Sequence, residues 1–157
     1  MSVNVARVFE IAKLVVGVAW ASPVTLAGLL MHVLPMYAIG GYEFVGVRGN
    51  ALVWALRKRA PMWLRNLWRG WGGNAAGNVI VLREHPDRWD SARVLAHELE
   101  HVKQCSRMGV FQPVAYALCS LVIWVGCPNM SGYRANPFEV SARIGAKQPV
   151  SEKLLKR

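Results

Sequence analysis

The sequence predicts an α+β fold, mainly helical, in which a short β-sheet supports the helices and an apolar helical hairpin leads the chain. Three observations carry this expectation. Segments of helical period in the second half are bounded by helix start and stop residues, β-branched runs lie between glycine-rich turns, and residues 14–42 contain no Asp, Glu, Lys or Arg. A chain of 157 residues suits one compact unit with a core of its own.

Residues 1–42 form the apolar, membrane-directed segment. The uncharged run from Leu14 to Tyr42 exceeds the ~20 apolar residues that a bilayer span requires. Pro23 and Pro35, with Gly28, Gly40 and Gly41, divide it, so a hairpin dipping into the membrane is as plausible as one straight helix, and a buried core hairpin is the further alternative. Ala19-Trp20-Ala21 faintly resembles a signal-peptide cleavage site, but Glu10 interrupts the basic region and the apolar run continues beyond it, so the segment reads as retained. Arg7 and Lys13 precede the run, and a denser set (Arg48, Arg57, Lys58, Arg59, Arg65, Arg69) follows it, which places the second flank in the cytoplasm. Trp54, Trp63, Trp68 and Trp71 alternate with those cations. This mixture suits an anionic membrane surface, and it also suits single-stranded nucleic acid. The net charge of +10 fits both partners; the neighbouring apolar run favours the membrane over nucleic acid. Cys105, Cys119 and Cys127 match neither a disulfide framework nor a paired zinc knuckle and read as reduced, buried thiols.

Residues 43–148 carry the second unit. Tyr42 to Val47, the turn Arg48-Gly49-Asn50 and Ala51 to Trp54 read as a hairpin. Gly70 to Gly77 lacks the Lys-Ser/Thr ending of a phosphate loop and reads as a plain connection. Asn78 to Leu82 reads as a strand, ended by Pro86. A helix follows, with Asp87 or Asp90 as its cap and Gly109 as its stop. Pro113 opens an apolar helix to about Val125. Asn136 and Pro137 supply the cap and first position of the last helix, and residues 149–157 form a polar, mobile tail.

The chemistry concentrates in His97-Glu98-Leu99-Glu100-His101. On a helix, His97 and His101 project from one face and can hold one ion, while Glu98 reaches the position of an attacking water. Leu95, Leu99 and Val102 occupy the opposite face and anchor it in a core. A zinc site needs a third protein ligand, and downstream of His101 only Glu139 and Glu152 remain. Glu139, in the first turn of a capped helix, is the better placed.

His97 to Gln104, followed by Gly132 to Arg143 with its Asn-Pro-Phe-Glu segment, resembles the small gluzincin-type metallopeptidases, including uncharacterised bacterial and phage relatives. The resemblance covers roughly residues 78–146. It implies a minimal zincin-like build, an active-site helix and a Glu-bearing helix beside a short sheet, with zinc held by His97, His101 and Glu139 and with Glu98 as general base. Tyr133 is the first candidate for donor to the oxyanion and Arg134 the second. Four positions after the third ligand, where gluzincins often carry an acidic residue, stands Arg143. Asn136 is the candidate for the missing outer support of a histidine. The edge of the strand Asn78 to Leu82 is expected to pair with an extended substrate. Gln104, one turn beyond His101, either hydrogen-bonds across the site or serves packing, the latter being preferred; His32 reads as structural and His85 as a turn residue.

The functional expectation is a zinc metallopeptidase acting on peptides or proteins, membrane-associated, with its site facing the cytoplasm of a bacterial or phage-infected cell. The alternatives are an inactive zinc-bound interaction protein at the membrane and a basic nucleic-acid-binding protein.

Overall fold

A computed structural model of the chain describes residues 5–156. Strands β1 (Tyr42–Arg48) and β2 (Ala51–Leu56) form the expected antiparallel hairpin, turned at Gly49, whose φ of 59° suits a residue without Cβ. Strand β3 spans Gly73–Ala76 and β4 Val79–Leu82. β4 lies parallel to β2 and antiparallel to β3, so the sheet order is β1-β2-β4-β3. Two expectations change here. The glycine-rich stretch is not a plain connection, because residues 73–76 form an edge strand. Asn78 to Leu82 is consequently an interior strand with no free edge. Gly and Ala are poor strand formers alone, but their small size lets two helices approach: a Cβ at Gly73 would lie 2.9 Å from Glu98 Oε1, and one at Gly28 2.8 Å from Ala76 Cβ.

Alternation along β4 divides the core. Ile80 and Leu82, with Ala51 and Val53 of β2, pack under Val102 of helix α4 (Trp89–Met108). Val79 and Val81 face the opposite way, onto Val33, Tyr42, Leu64 of helix α3 (Met62–Leu67) and Trp68. Both sheet faces are therefore covered, which explains the unbroken apolar sequence of β4. On the second face, the Tyr42 hydroxyl lies 2.8 Å from His32 Nε2 and accepts a hydrogen bond from Trp68 Nε1 at 3.0 Å. His32 is a packed histidine, as expected.

The leading segment is not a hairpin. Helix α1 (Val5–Gly28) continues through a π-turn, Leu29–Val33, into α2 (Leu34–Ala38), and residues Ala6–Ala38 make one helix long and apolar enough to cross a membrane. Local bonding lets it pass both prolines. Pro23 lacks the N–H that would reach Ala19, and the Ser22 hydroxyl donates to that same carbonyl at 2.7 Å. Before Pro35, the Leu34 N–H bonds to Leu29, a five-residue step that re-registers the helix around the ring. Its flank is largely exposed, Val16 by 67% and Met31 by 82%. A buried core hairpin is thereby excluded.

Helix α4 starts at Arg88 without a side-chain cap; Asp90 lies in its first turn, and Asp87 pairs instead with His85 at 2.9 Å. Gly109, at φ 56°, ends it as expected. Helix α5 (Phe111–Gly126) leaves at 113° to α4, and α6 (Pro137–Gly145) follows a loop. The tail forms a short helix α7 (Glu152–Leu155), tied back by the Ser131 N–H bonding to the Leu155 carbonyl.

Gly77 and Gly49 both adopt positive φ, but a Cβ at Gly77 would strike the Thr25 backbone while one at Gly49 meets open space. Gly49→Ala should cost about 1 kcal/mol and Gly77→Ala about 3 kcal/mol or more. Thermal unfolding in detergent micelles measures the difference, and equal losses would show that α1 does not pack on the β3–β4 turn.

Candidate metal centre

Helix α4 is pinned to the sheet by Leu95, Leu99 and Val102, which turns His97, Glu98 and His101 towards a cleft of about 790 Å³. Helix α6 brings Glu139 to the same point. His97 Nε2 lies 3.1 Å from Glu139 Oε2, His101 Nε2 3.2 Å from Glu139 Oε1, and the two Nε2 atoms are 3.2 Å apart. The side chains of His97, His101 and Glu139 are only 11, 11 and 3% exposed. Glu152, the other downstream carboxylate, lies exposed in α7, paired with Lys156.

These three residues form a group that could hold a metal ion. A tetrahedral ion with bonds of about 2.0–2.1 Å separates its ligand atoms by about 3.3 Å, close to the spacings present. The hydrogen bonds around His101 fit the same purpose. Gln104 Nε2 donates to the Phe138 carbonyl at 2.9 Å and to Ser141 Oγ at 2.7 Å. This fixes the amide so that its oxygen accepts from His101 Nδ1 at 2.9 Å. With the Nδ1 proton committed, His101 Nε2 presents a lone pair to a metal, or carries a second proton shared with Glu139. His97 Nδ1 is buried without a hydrogen-bond partner among the described residues.

Glu139 owes its position to Asn136. The Asn136 side chain caps α6 by accepting from the Phe138 N–H at 2.9 Å, and its Nδ2 donates to the Tyr116 carbonyl and to Ser120 Oγ of α5. Asn136 therefore supports the ligand helix and contacts neither histidine, contrary to the sequence expectation. Gln104 supplies the histidine support expected of Asn136. Tyr116 donates its hydroxyl proton to Glu139 Oε1 at 2.9 Å. Arg143 Nη2 stands 4.0 Å from Glu139 Oε2, while its Nη1 donates to the Arg134 carbonyl.

Charge states follow from burial and proximity. Burial opposes the Glu139 carboxylate, but hydrogen bonds from His101 and His97 outweigh it and hold the carboxyl far below its usual range. His101 is raised: burial acts against its charge, and the bond to Glu139 prevails. Burial pushes Glu98 up to about 7, against the pull of both histidines. The phenol of Tyr116 is pushed up by burial and then by the Glu139 charge; that of Tyr133, 55% exposed overall, is pushed the same way by desolvation on the cleft side and by Glu139, so both keep their protons.

The structure brings His97, Glu98, His101 and Glu139 together, with Tyr133 and Arg134 lining the same cleft. Tyr116 and Gly73 are not anticipated from the sequence, and Gln104 takes the less favoured of its two expected roles, the hydrogen bond across the site. Tyr116 and Ser120 were discernible as polar groups four apart in an apolar helix; Gly73 carried no signal beyond its glycine-rich neighbours. No protein-family model, curated protein or solved structure matches the chain.

Gln104→Ala should weaken binding of a divalent metal by about 10–100-fold, measured by competition with a chromogenic chelator. Ser141→Ala, which touches only the far side of that amide and the Phe138 carbonyl, should change it little. Unchanged affinity in Gln104→Ala would rule out control of the His101 tautomer by Gln104.

Proposed function

We propose that this chain is a zinc-dependent peptidase held at a membrane by α1. The observation that carries this reading is the convergence of His97, His101 and Glu139 at 3.1–3.2 Å with Glu98 beside them in an open cleft. Two imidazoles and one carboxylate are a donor set typical of catalytic zinc, with a coordination position left for water or substrate. Bound there, zinc supplies Lewis-acid polarisation of a carbonyl and brings the pKa of water to about 7.

The chain's own residues perform the remaining work. Glu98 takes a proton from the water that attacks the peptide carbonyl and returns it to the leaving nitrogen as the C–N bond breaks. A carboxyl raised to about 7 by burial is suited to both transfers. Tyr133, protonated and on the cleft rim, is the first donor to the developing oxyanion, and Arg134 the second. Tyr116 is committed to holding Glu139. β3 is an edge strand, and its residues 73–75 line the cleft beside Glu98, where an extended chain would pair with its outer edge.

Membrane association is supported by the long apolar helix 6–38, and the basic flank that follows it supports a cytoplasmic site. One observation favours a second reading. Arg143 beside Glu139 draws negative charge from a ligand, which suits a metal-held interaction module without hydrolysis.

Glu98→Gln should lower kcat/KM for a fluorogenic peptide by about 10²–10⁴-fold while metal content stays at the wild-type level. Equal turnover in the variant would contradict the assigned general base, and a metal-loaded wild type inert across a peptide library would establish the second reading.

A further inference from the structure

Helix α5 is polar inward and apolar outward. Tyr116, Cys119, Ser120 and Ile123 lie on its protein-facing side, where Tyr116 holds Glu139 and Ser120 accepts from Asn136. The opposite side presents Phe111, Val114, Leu118, Leu121, Val122 and Val125, each between 53 and 69% exposed. No charged residue lies between Arg107 and Arg134. A helix facing water has the reverse polarity.

We propose that α5 is a second membrane contact, seated at the boundary between headgroups and acyl chains, and that it holds the metal cleft at the bilayer surface. This inference rests on the reading of α1 as a membrane helix, here lying along the same interface as α5, since Trp20 near its middle packs on α5 and Thr25 and Gly28 beyond it pack on the sheet. The two apolar surfaces are continuous, since Trp20 of α1 packs on Phe111 at the start of α5, with ring centroids 6.3 Å apart. A bilayer covers both surfaces at once. At 16 residues α5 is about 24 Å long, short of the ~30 Å hydrocarbon core, so it lies in the interface and does not cross. Arg107 and Arg134 bracket the uncharged stretch, and exposed Trp124 near its end is an interfacial side chain. Because Gln112, Pro113 and Tyr116 of α5 form one wall of the cleft, the polypeptides that reach it are those presented at the membrane surface, such as segments adjoining a transmembrane helix.

The full chain, with Cys119→Ser and Cys127→Ser, is reconstituted in vesicles of phosphatidylcholine and phosphatidylglycerol. A nitroxide is placed at Val122→Cys or, in separate samples, at Leu121→Cys or Val15→Cys. Accessibility to oxygen is compared with that to a water-soluble nickel chelate. Lipid contact at both helices predicts an oxygen-to-chelate ratio about tenfold or more above that at a water-exposed site of the same chain in the same vesicles, Glu152→Cys. A lipid-embedded Val15 site with both α5 sites open to the chelate would overturn the inference and leave the α1 reading intact. Chelate access at all three sites would overturn both. Shielding of the α5 sites from oxygen and chelate alike would mean that protein covers α5, and would also overturn it.

Discussion

His97 Nε2 and His101 Nε2 lie 3.2 Å apart, and each lies 3.1–3.2 Å from a different oxygen of the Glu139 carboxylate, with all three side chains largely buried. Such a cluster needs positive charge between its members, since neither a carboxylate nor an imidazole lone pair tolerates burial uncompensated. Protons shared between imidazole and carboxylate supply that charge in the absence of a metal, and a divalent ion supplies it more completely. Much of the surrounding structure holds these atoms at that spacing. Gln104 sets the His101 tautomer, Tyr116 satisfies a Glu139 oxygen, and Asn136 locks the helix that carries Glu139 onto α5.

The sheet serves the same end. Apolar alternation on β4 fixes one face of α4 against Ile80 and Leu82, which leaves its histidine face open to the cleft. Gly73 then brings the edge strand against Glu98, close enough that a single methyl group would meet the carboxylate. Burial by this strand and by the helix is what raises the Glu98 carboxyl towards neutrality. Packing and acid–base chemistry are thus linked through one small residue.

Much of this was legible in the sequence because it rests on local periodicity. The spacing of His97 and His101, the Gly109 stop, the Asn136-Pro137 start and the β1–β2 hairpin all follow from residues near one another in the chain. The errors arose where tertiary contacts decide. Pro23 and Pro35 suggested a broken hairpin, yet the Ser22 hydroxyl and a π-turn carry the helix past both rings. Residues 73–76 have low strand propensity and become a strand because β4 and two helices require a thin partner. Asn136 caps α6 as expected but does not support a histidine, and Gln104 does so instead, since which amide reaches His101 depends on how α6 crosses α4.

One cation site shared between α4 and α6 thus joins the packing of the fold to its chemistry. Metal analysis of purified wild type beside Glu139→Ala, after dialysis against zinc and removal of the excess, tests it most directly. About one zinc per wild-type chain is expected, and less than about a tenth of that in the variant, whose buried histidines lose their anionic partner. Equal metal content in the two proteins, or none in either, would contradict it.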